Sequence, residues 1–536
     1  MLATLFNIML IGLVLLIAYW WANQGLFSAL LHLICVIVAG TIALAVWEPV
    51  TINLLLSGGM FDNYAWGVSL MSVFVISLII LRVIADKIAP NNVSMPPSAD
   101  LSVGFVLGLG SGILTIGLSI IALGFVQSSH EIMGMKGYGR IANQNAVVGR
   151  LDPALWAPID QWTNAFFSTL SVSTMYPTID GAPLGEFNPK VHEQAWLVRD
   201  TFDNGKGQLA MQPGDSSVIS AGIGIQPRGR NALVKVTLGP GARDFGSQLT
   251  LSSSQVRLIG WPDESGRVEV LHPSAWVQDA STPSGHARYQ FDDASHFATS
   301  VPGRSQSEMI FDFASIPAGF VPRFIQIRNI RYDLPKLEED RYAMVLADLI
   351  GGGGGRAVVP TDGTPIEQAF ELKNTIRRFT KSKNKMPSTM KLTDGYMAEG
   401  YYRGSRNDGS VSRGLRVKGI FQPEGVRIIR LNVSRDSPAS LYSAMAQSAP
   451  TNAAIRLVDD QGVTFAPIGY ILEETKDIEI QLSPGQPIRT MNQLPQLPTS
   501  GTKSLYLIFE VTRDSTIRGL TLGNMVIGTC TIEVER

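Results

Sequence analysis

Cysteine is almost missing from this chain. Two residues in 536 are cysteine, Cys35 inside an apolar run and Cys530 close to the C-terminus. Two thiols in such different settings exclude a disulfide framework, and neither a CxxC pair nor a Cys/His cluster with zinc-ligand spacing is present. Histidine is scarce as well, with six residues. The glycine-rich phosphate and dinucleotide fingerprints and the nucleophile-elbow motif are absent. A formal net charge of −1 gives no electrostatic reason to expect nucleic acid as a partner. Charge is also unevenly spread. Residues 1–128 carry only Glu48, Asp62, Arg82, Asp86, Lys87 and Asp100.

What fills that poorly charged quarter is apolar. Four segments can be drawn, at Leu5–Trp20, Leu26–Trp47, Trp66–Ala85 and Leu101–Val126. Each reaches or nearly reaches the roughly 20 helical residues that span a bilayer core. Trp20, Trp21, Trp47 and Trp66 stand at the segment edges, where interfacial aromatics are expected. The first segment has no basic leader and no small-residue cleavage site, so it reads as an anchor. In the fourth, Gly104, Gly108 and Gly112 recur every four residues and form one helix face suited to close packing. On a small bundle such a face also makes self-association an expectation. His32 is the one ionisable residue near the middle of a segment, and this scarcity argues against a pump or transporter.

The order of features resembles the colicin V production (CvpA-like) membrane family. A short first helix, the turn Asn23-Gln24-Gly25-Leu26-Phe27, a second helix, a polar loop and a third helix precede the stretch Ala99–Leu114. Asp100 and the glycine ladder match the family's acidic residue before a glycine-rich fourth helix. Gln24 stands where a basic residue is expected, and Asn7 where an acidic one is common. The resemblance covers roughly residues 1–175. It implies a multi-pass protein of the bacterial inner membrane with an extracytoplasmic, periplasmic C-terminal part. Lys and Arg near the membrane do not decide the orientation, because Arg82 and Lys87 on one side balance Lys136 and Arg140 on the other. After the fourth segment, Leu155, Ile159, Trp162, Phe166 and Leu170 recur at helical spacing, with Pro158 suited to a first turn. Such a helix would lie in the membrane interface or pack on the soluble part.

From about residue 190 the period changes to two. Val234, Val236 and Leu238 alternate with Lys235 and Thr237, and Ile532 and Val534 with Glu533 and Glu535, as in half-buried strands. The pattern occurs twice. Val256-Arg257-Leu258-Ile259, Gly266 and Pro273-Ser-Ala-Trp-Val277 match Ile455-Arg456-Leu457-Val458, Gly462 and Pro467-Ile-Gly-Tyr-Ile471. From the arginine to the phenylalanine of the next matching strand, Phe311 or Phe509, is 54 residues in one copy and 53 in the other. Two copies of one β-sandwich follow. The expected fold class is α+β multidomain, an N-terminal four-helix transmembrane unit followed by two tandem antiparallel β-sandwich domains. The boundaries are 1–128 for the helices, 129–189 for a linker with an amphipathic helix, 190–350 for the first sandwich, 351–412 for a glycine-rich and basic linker, and 413–536 for the second sandwich. The linker opens on the five glycines Gly351–Gly355, and Leu337–Leu349 before it has helical spacing.

Chemistry is hard to find in these residues. Gly214-Asp215-Ser216-Ser217 lacks the glycines that shape the oxyanion hole of a trypsin-like protease. Asp292, Asp293 and His296, with His272 and His286 nearby, could supply metal ligands, but the second copy has no histidine there. Lys373, Arg377, Arg378, Lys381, Lys383, Lys385 and Lys391 form a basic cluster suited to an anionic surface or to a solvated face. The expectation is a non-enzymatic envelope protein without catalytic residues, metal or cofactor. Its expected partners are membrane lipids, an envelope protein and further copies of the chain. A membrane-anchored extracytoplasmic hydrolase with an unrecognised site is the alternative.

Overall fold

A computed structural model describes residues 1–89, 96–126, 128–141, 147–170, 178–179, 182–183, 188–205, 210–212, 214, 216–226, 229–243, 248–262, 268–279, 286–300, 306–335, 357–376, 387–405, 417–460, 462–475, 477–497 and 503–534. The four apolar segments are four helices: α1 (Leu2–Gln24), α2 (Leu26–Val50), α3 (Asp62–Ile88) and α4 (Pro97–Gly124). All four are long and apolar enough to cross a membrane. Gly25, with φ of 85°, breaks α1 from α2. Asp100 at the start of α4 accepts a 2.5 Å hydrogen bond from Leu26 N–H, satisfying one of the donors a helix start leaves open.

The glycine ladder is spent inside the chain. Gly104, Gly108 and Gly112 face Ala22, Ala18 and Val14 of α1, which also step by four residues. A Cβ added at Gly108 would lie 2.9 Å from the Ala18 Cα and carbonyl oxygen. Small residues on both helices let the backbones touch, which is how membrane helices gain packing energy without a hydrophobic drive. This face is therefore occupied within the chain, by α1.

A fifth helix, α5 (Ile159–Thr169), lies across the bundle. The Thr163 hydroxyl sits in the notch at Gly117 and donates to the Ile113 carbonyl oxygen at 3.2 Å, and the Phe167 ring fills the space left by Gly40 of α2. The expected apolar stripe is split. Asp160, Thr163 and Asn164 are buried, whereas Trp162 is 49% exposed. Thr163 finds its partner on α4 and Asn164 accepts from Val191 N–H, while Ile159 and Phe167 stay buried beside them. Trp47 and Trp66 stand near the ends of α2 and α3 but turn inward. They are 0% and 2% exposed and pack edge to face at 5.4 Å. Trp20, at 61% exposure, faces outward as expected.

Two antiparallel sheets form the first sandwich. Its strands are β1 (Ser216–Gln226), β2 (Gly229–Leu238), β3 (Val256–Pro262), β4 (Glu269–Leu271), β5 (Ala275–Asp279), β6 (His286–Gln290), β7 (Ser307–Phe313), β8 (Phe320–Ile327) and β9 (Ile330–Asp333). They are ordered β6-β5-β7-β2-β1 and β9-β8-β3-β4. Val234, Val236, Phe311 and Phe313 from one sheet meet Leu258, Ile325 and Ile327 from the other in a shared core. The second sandwich is built from β10 (Phe370–Glu371), β11 (Lys391–Thr393), β12 (Tyr396–Ser405), β13 (Val426–Asn432), β14 (Ile455–Asp459), β15 (Thr464–Phe465), β16 (Pro467–Glu473), β17 (Asp477–Leu482), β18 (Ser504–Thr512), β19 (Thr516–Leu522) and β20 (Met525–Glu533). Its sheets run β10-β13-β18-β16-β17-β12-β11 and β15-β14-β19-β20. Read in the matching direction, both orders repeat those of the first sandwich, with β12 and β11 added at one edge.

The repeat differs in detail from its sequence reading. Trp276 lies opposite Phe311, but Tyr470 lies opposite Leu507 and not Phe509. The matched phenylalanines are thus two residues out of register, and since side chains alternate with period two, both still point inward. The linker also shrinks. β12 pairs with β17 and β10 with β13, and Ile366 N–H bonds to the Thr529 carbonyl oxygen, so parts of 351–412 belong to the second sandwich. On one face of its seven-stranded sheet, Ile428, Ile471, Ile480 and Ile508 form a buried cluster with Met397 and Tyr402 of β12 and with Ile420. Gly351–Gly355 and Leu337–Leu349 lie outside the described residues.

Two outcomes follow from this packing. Gly108→Leu is expected to lower the thermal midpoint of the detergent-solubilised protein strongly, whereas Gly12→Leu, where a Cβ meets nothing within 4 Å, leaves it unchanged. Glu510 on β18 is 4% exposed and burial pushes its carboxyl up to about 7. A raised folded-state value means stability present below the ordinary 4.5 and lost as pH rises through 7. Glu510→Gln should therefore raise the midpoint at pH 8, by up to about 3 kcal/mol of stability, and leave it nearly unchanged at pH 4.5.

Candidate functional site: a buried polar junction between helices and sandwich

The carboxylate of Glu48 closes the apolar run of α2 and is 8% exposed. Burying a charge there requires partners, and they come from far along the chain. Arg331 of β9 approaches it with Nε at 2.9 Å and Nη2 at 2.6 Å, and Asn188 donates from Nδ2 at 3.0 Å. Asn188 also donates to Gln194 Oε1 at 2.5 Å and accepts from Arg257 Nη1 at 3.2 Å. Arg257, 1% exposed, bonds further to Gln326 Oε1 at 2.9 Å and to the Pro189 carbonyl oxygen. Gln194, on the short helix α6 (Val191–Leu197), reaches the Arg328 carbonyl oxygen and Asn329 Oδ1.

α6 holds this network in place. Ala195 lies against Gly124 at the end of α4, and Val191 N–H donates to Asn164 of α5 at 3.1 Å. Residues 191–197, expected to open the first sandwich, serve as the gasket between sandwich and helices. The apolar core runs through the same place without a break, from Trp47, Trp66 and Phe125 through Val191 and Ala195 to Leu258 and Ile325. A second tie lies beside it. Arg140, in the segment after α4, bonds Asp200 at 2.7 Å and the His296 carbonyl oxygen at 2.8 Å. Asp62, at the start of α3, accepts from Ser57 and Gly58 N–H and from Gln212.

Burial sets the electrostatics of the junction. It lowers the Arg257 guanidinium to about 10, still charged at neutral pH. It holds His192 down at about 3 and His272 at about 4, with Arg257 and Lys190 adding repulsion in both. His272 Nδ1 lies 3.2 Å and 3.1 Å from the carbonyl oxygens of Ser253 and Val256, so a neutral ring donating from Nδ1 suits the site. These groups fasten two parts of the molecule together.

The residues singled out by sequence fall elsewhere. Asp292 and His296 pair at 2.7 Å in a turn, Asp293 accepts from Ser295, and His272 sits in the junction. The side chain of His286 is outside the described residues. No group of three or more His, Cys, Asp or Glu side chains able to hold a metal ion occurs among the described residues. Ser216 and Ser217 open β1 opposite Leu238 and Thr237. In the basic cluster, Lys373 lies 3.7 Å from Glu371 and Lys391 2.6 Å from Glu399. Arg377, Arg378, Lys381, Lys383 and Lys385 lie outside the described residues. Sequence reasoning missed Glu48, Asn188, Gln194 and Arg331 as a set. The one available signal was a lone carboxylate ending an apolar run, and its partner 283 positions away carried none.

No family model, curated protein or solved structure matches this chain.

Removing one member of a buried pair leaves the other charge uncompensated. Glu48→Ala should cost about 3 kcal/mol and speed amide exchange in β3, β8 and β9. The double variant Glu48→Ala/Arg331→Ala should recover part of that loss, and a double-mutant cycle of thermal midpoints measures the coupling.

Proposed function

We propose that this protein is a non-enzymatic component of a bacterial envelope, a CvpA-like membrane anchor that presents two β-sandwiches as extracytoplasmic binding modules. The observation that carries the reading is the junction. Glu48, Asn188, Gln194, Arg257 and Arg331 seat the first sandwich on the ends of the membrane helices, giving it a set orientation to the bilayer. The second sandwich is held in turn on the first. Arg288 of β6 lies 2.5 Å from Asp312 and 3.2 Å from Asp514, and its N–H reaches the Gly425 carbonyl oxygen. A chain of fixed contacts from membrane to distal sandwich suits a presenting or assembling role. The partner in this reading is an envelope protein, and the inner membrane is the location that the resemblance to CvpA-like proteins implies.

Paired reporters, one active only outside the cytoplasm and one active only inside, fused within Gly351–Gly355 test the reading. Signal from the outside reporter alone is the expected result. Signal from the inside reporter alone overturns the extracytoplasmic role and sends the search to a cytosolic partner.

A further inference from the structure

A groove of about 200 Å³ opens on the side of the bundle between α1, α4 and α5. Its walls, among the described residues, include Ile11 and Leu15 of α1, Leu109 and Ile113 of α4 and Trp162 of α5, with Asn7 at one end. Asn7 turns its amide away from the space. Its Oδ1 accepts from Trp156 N–H at 2.8 Å and its Nδ2 donates to the Ala3 carbonyl oxygen at 3.0 Å, so the lining stays apolar. From Asn7 to Leu15 the groove runs about 12 Å along α1, within a helix long and apolar enough to span a membrane. Ile11, Leu15 and Trp162 are 38%, 46% and 49% exposed, so the groove meets whatever surrounds the helices.

A cation stands at the Asn7 end, which is the end nearer the sandwiches. Arg150 is exposed and donates to the Leu155 carbonyl oxygen, two residues before Ala157 in the groove lining. An apolar slot at acyl-chain depth with a guanidinium at the headgroup level is the pairing that a phospholipid requires. Elsewhere the outer face of α3 exposes Ile76, Ile79 and Ile80 as a helix surface on which lipid has only the side of one helix to touch. We propose that the groove holds one acyl chain of a phospholipid from the leaflet on the sandwich side, with the phosphate at Arg150. This inference rests on the membrane-spanning helices and not on the proposed binding role.

The test uses the full-length protein in nanodiscs of phosphatidylethanolamine and phosphatidylglycerol carrying a small share of phospholipid with a photoreactive diazirine in its acyl chain. After illumination, the labelled peptides are mapped by mass spectrometry. Label should concentrate on Asn7–Leu15 and Ile113 over the exposed face of α3. Ile11→Trp, at a partly exposed position that tolerates bulk, should fill the slot and cut groove labelling at least about tenfold. Leu15→Trp should do the same, and Ile79→Trp should leave it unchanged. Arg150→Gln should reduce labelling by the anionic lipid more than by the zwitterionic one. Thermal midpoints equal to the parent's show that the variants fold. Label spread evenly over all exposed helix faces, which is ordinary surrounding lipid, overturns the proposal. So does groove labelling indifferent to both tryptophans, or a crosslink from the groove to a second copy of the chain.

Discussion

A carboxylate at the end of a membrane helix sets the terms for the rest of the molecule. Glu48 is buried where α2 leaves the bundle, and no neighbouring helix offers it a cation. The compensation comes from Arg331 and Asn188, and so from the first sandwich and the segment leading into it. Once Arg257 is drawn in beside Asn188 it needs acceptors of its own, and Gln326, Asn188 Oδ1 and the carbonyl oxygen of Pro189 supply them. A partly satisfied network of this kind would be worse than an apolar contact. The helices and the first sandwich therefore share one continuous core and do not behave as beads on a string.

Within the bundle the governing constraint is close approach. The matched four-residue steps of α1 and α4 bring their backbones together, and α5 comes close at Gly117 and sets the Phe167 ring in the notch at Gly40. The helix seated in these notches turns Thr163 and Asn164 inward together with Ile159 and Phe167, and leaves Trp162 outside. The groove beside Trp162 is a by-product of that geometry.

The duplication shows how one strand pattern meets two environments. Arg257 and Arg456 occupy equivalent strand positions, yet Arg257 is 1% exposed beneath the junction and Arg456 is exposed to solvent. In each copy the segment just before the sandwich lies over the four-stranded sheet, residues 188–194 in the first and residues around Ile366 in the second. Only the first of these also touches membrane helices. Asp312, 0% exposed, points away from the core of its own sandwich and is neutralised by Arg288, which also reaches Asp514 of the second.

Local pattern made much of this legible. The four spans follow from apolar run length, and the break at Gly25 and the ladder at Gly104, Gly108 and Gly112 follow from residue type. The sandwich strands follow from period-two alternation, and the duplication from repeated spacing. All of these depend on neighbours within a few residues or on a comparison of the chain with itself. The partners of that ladder, the inward turn of Trp47 and Trp66, the outward turn of Trp162 on α5 and the entry of β10 and β12 into the second sandwich were decided by packing across long separations. The junction is the clearest case, because Glu48 and Arg331 are ordinary residues in their own stretches and become a site only where the fold buries them together. Sequence by itself determined which segments could enter the membrane and which could form sheets, since that depends on local transfer energy and periodicity. Tertiary structure alone decided which charges meet, since burial is a property of the surrounding fold and not of the residue.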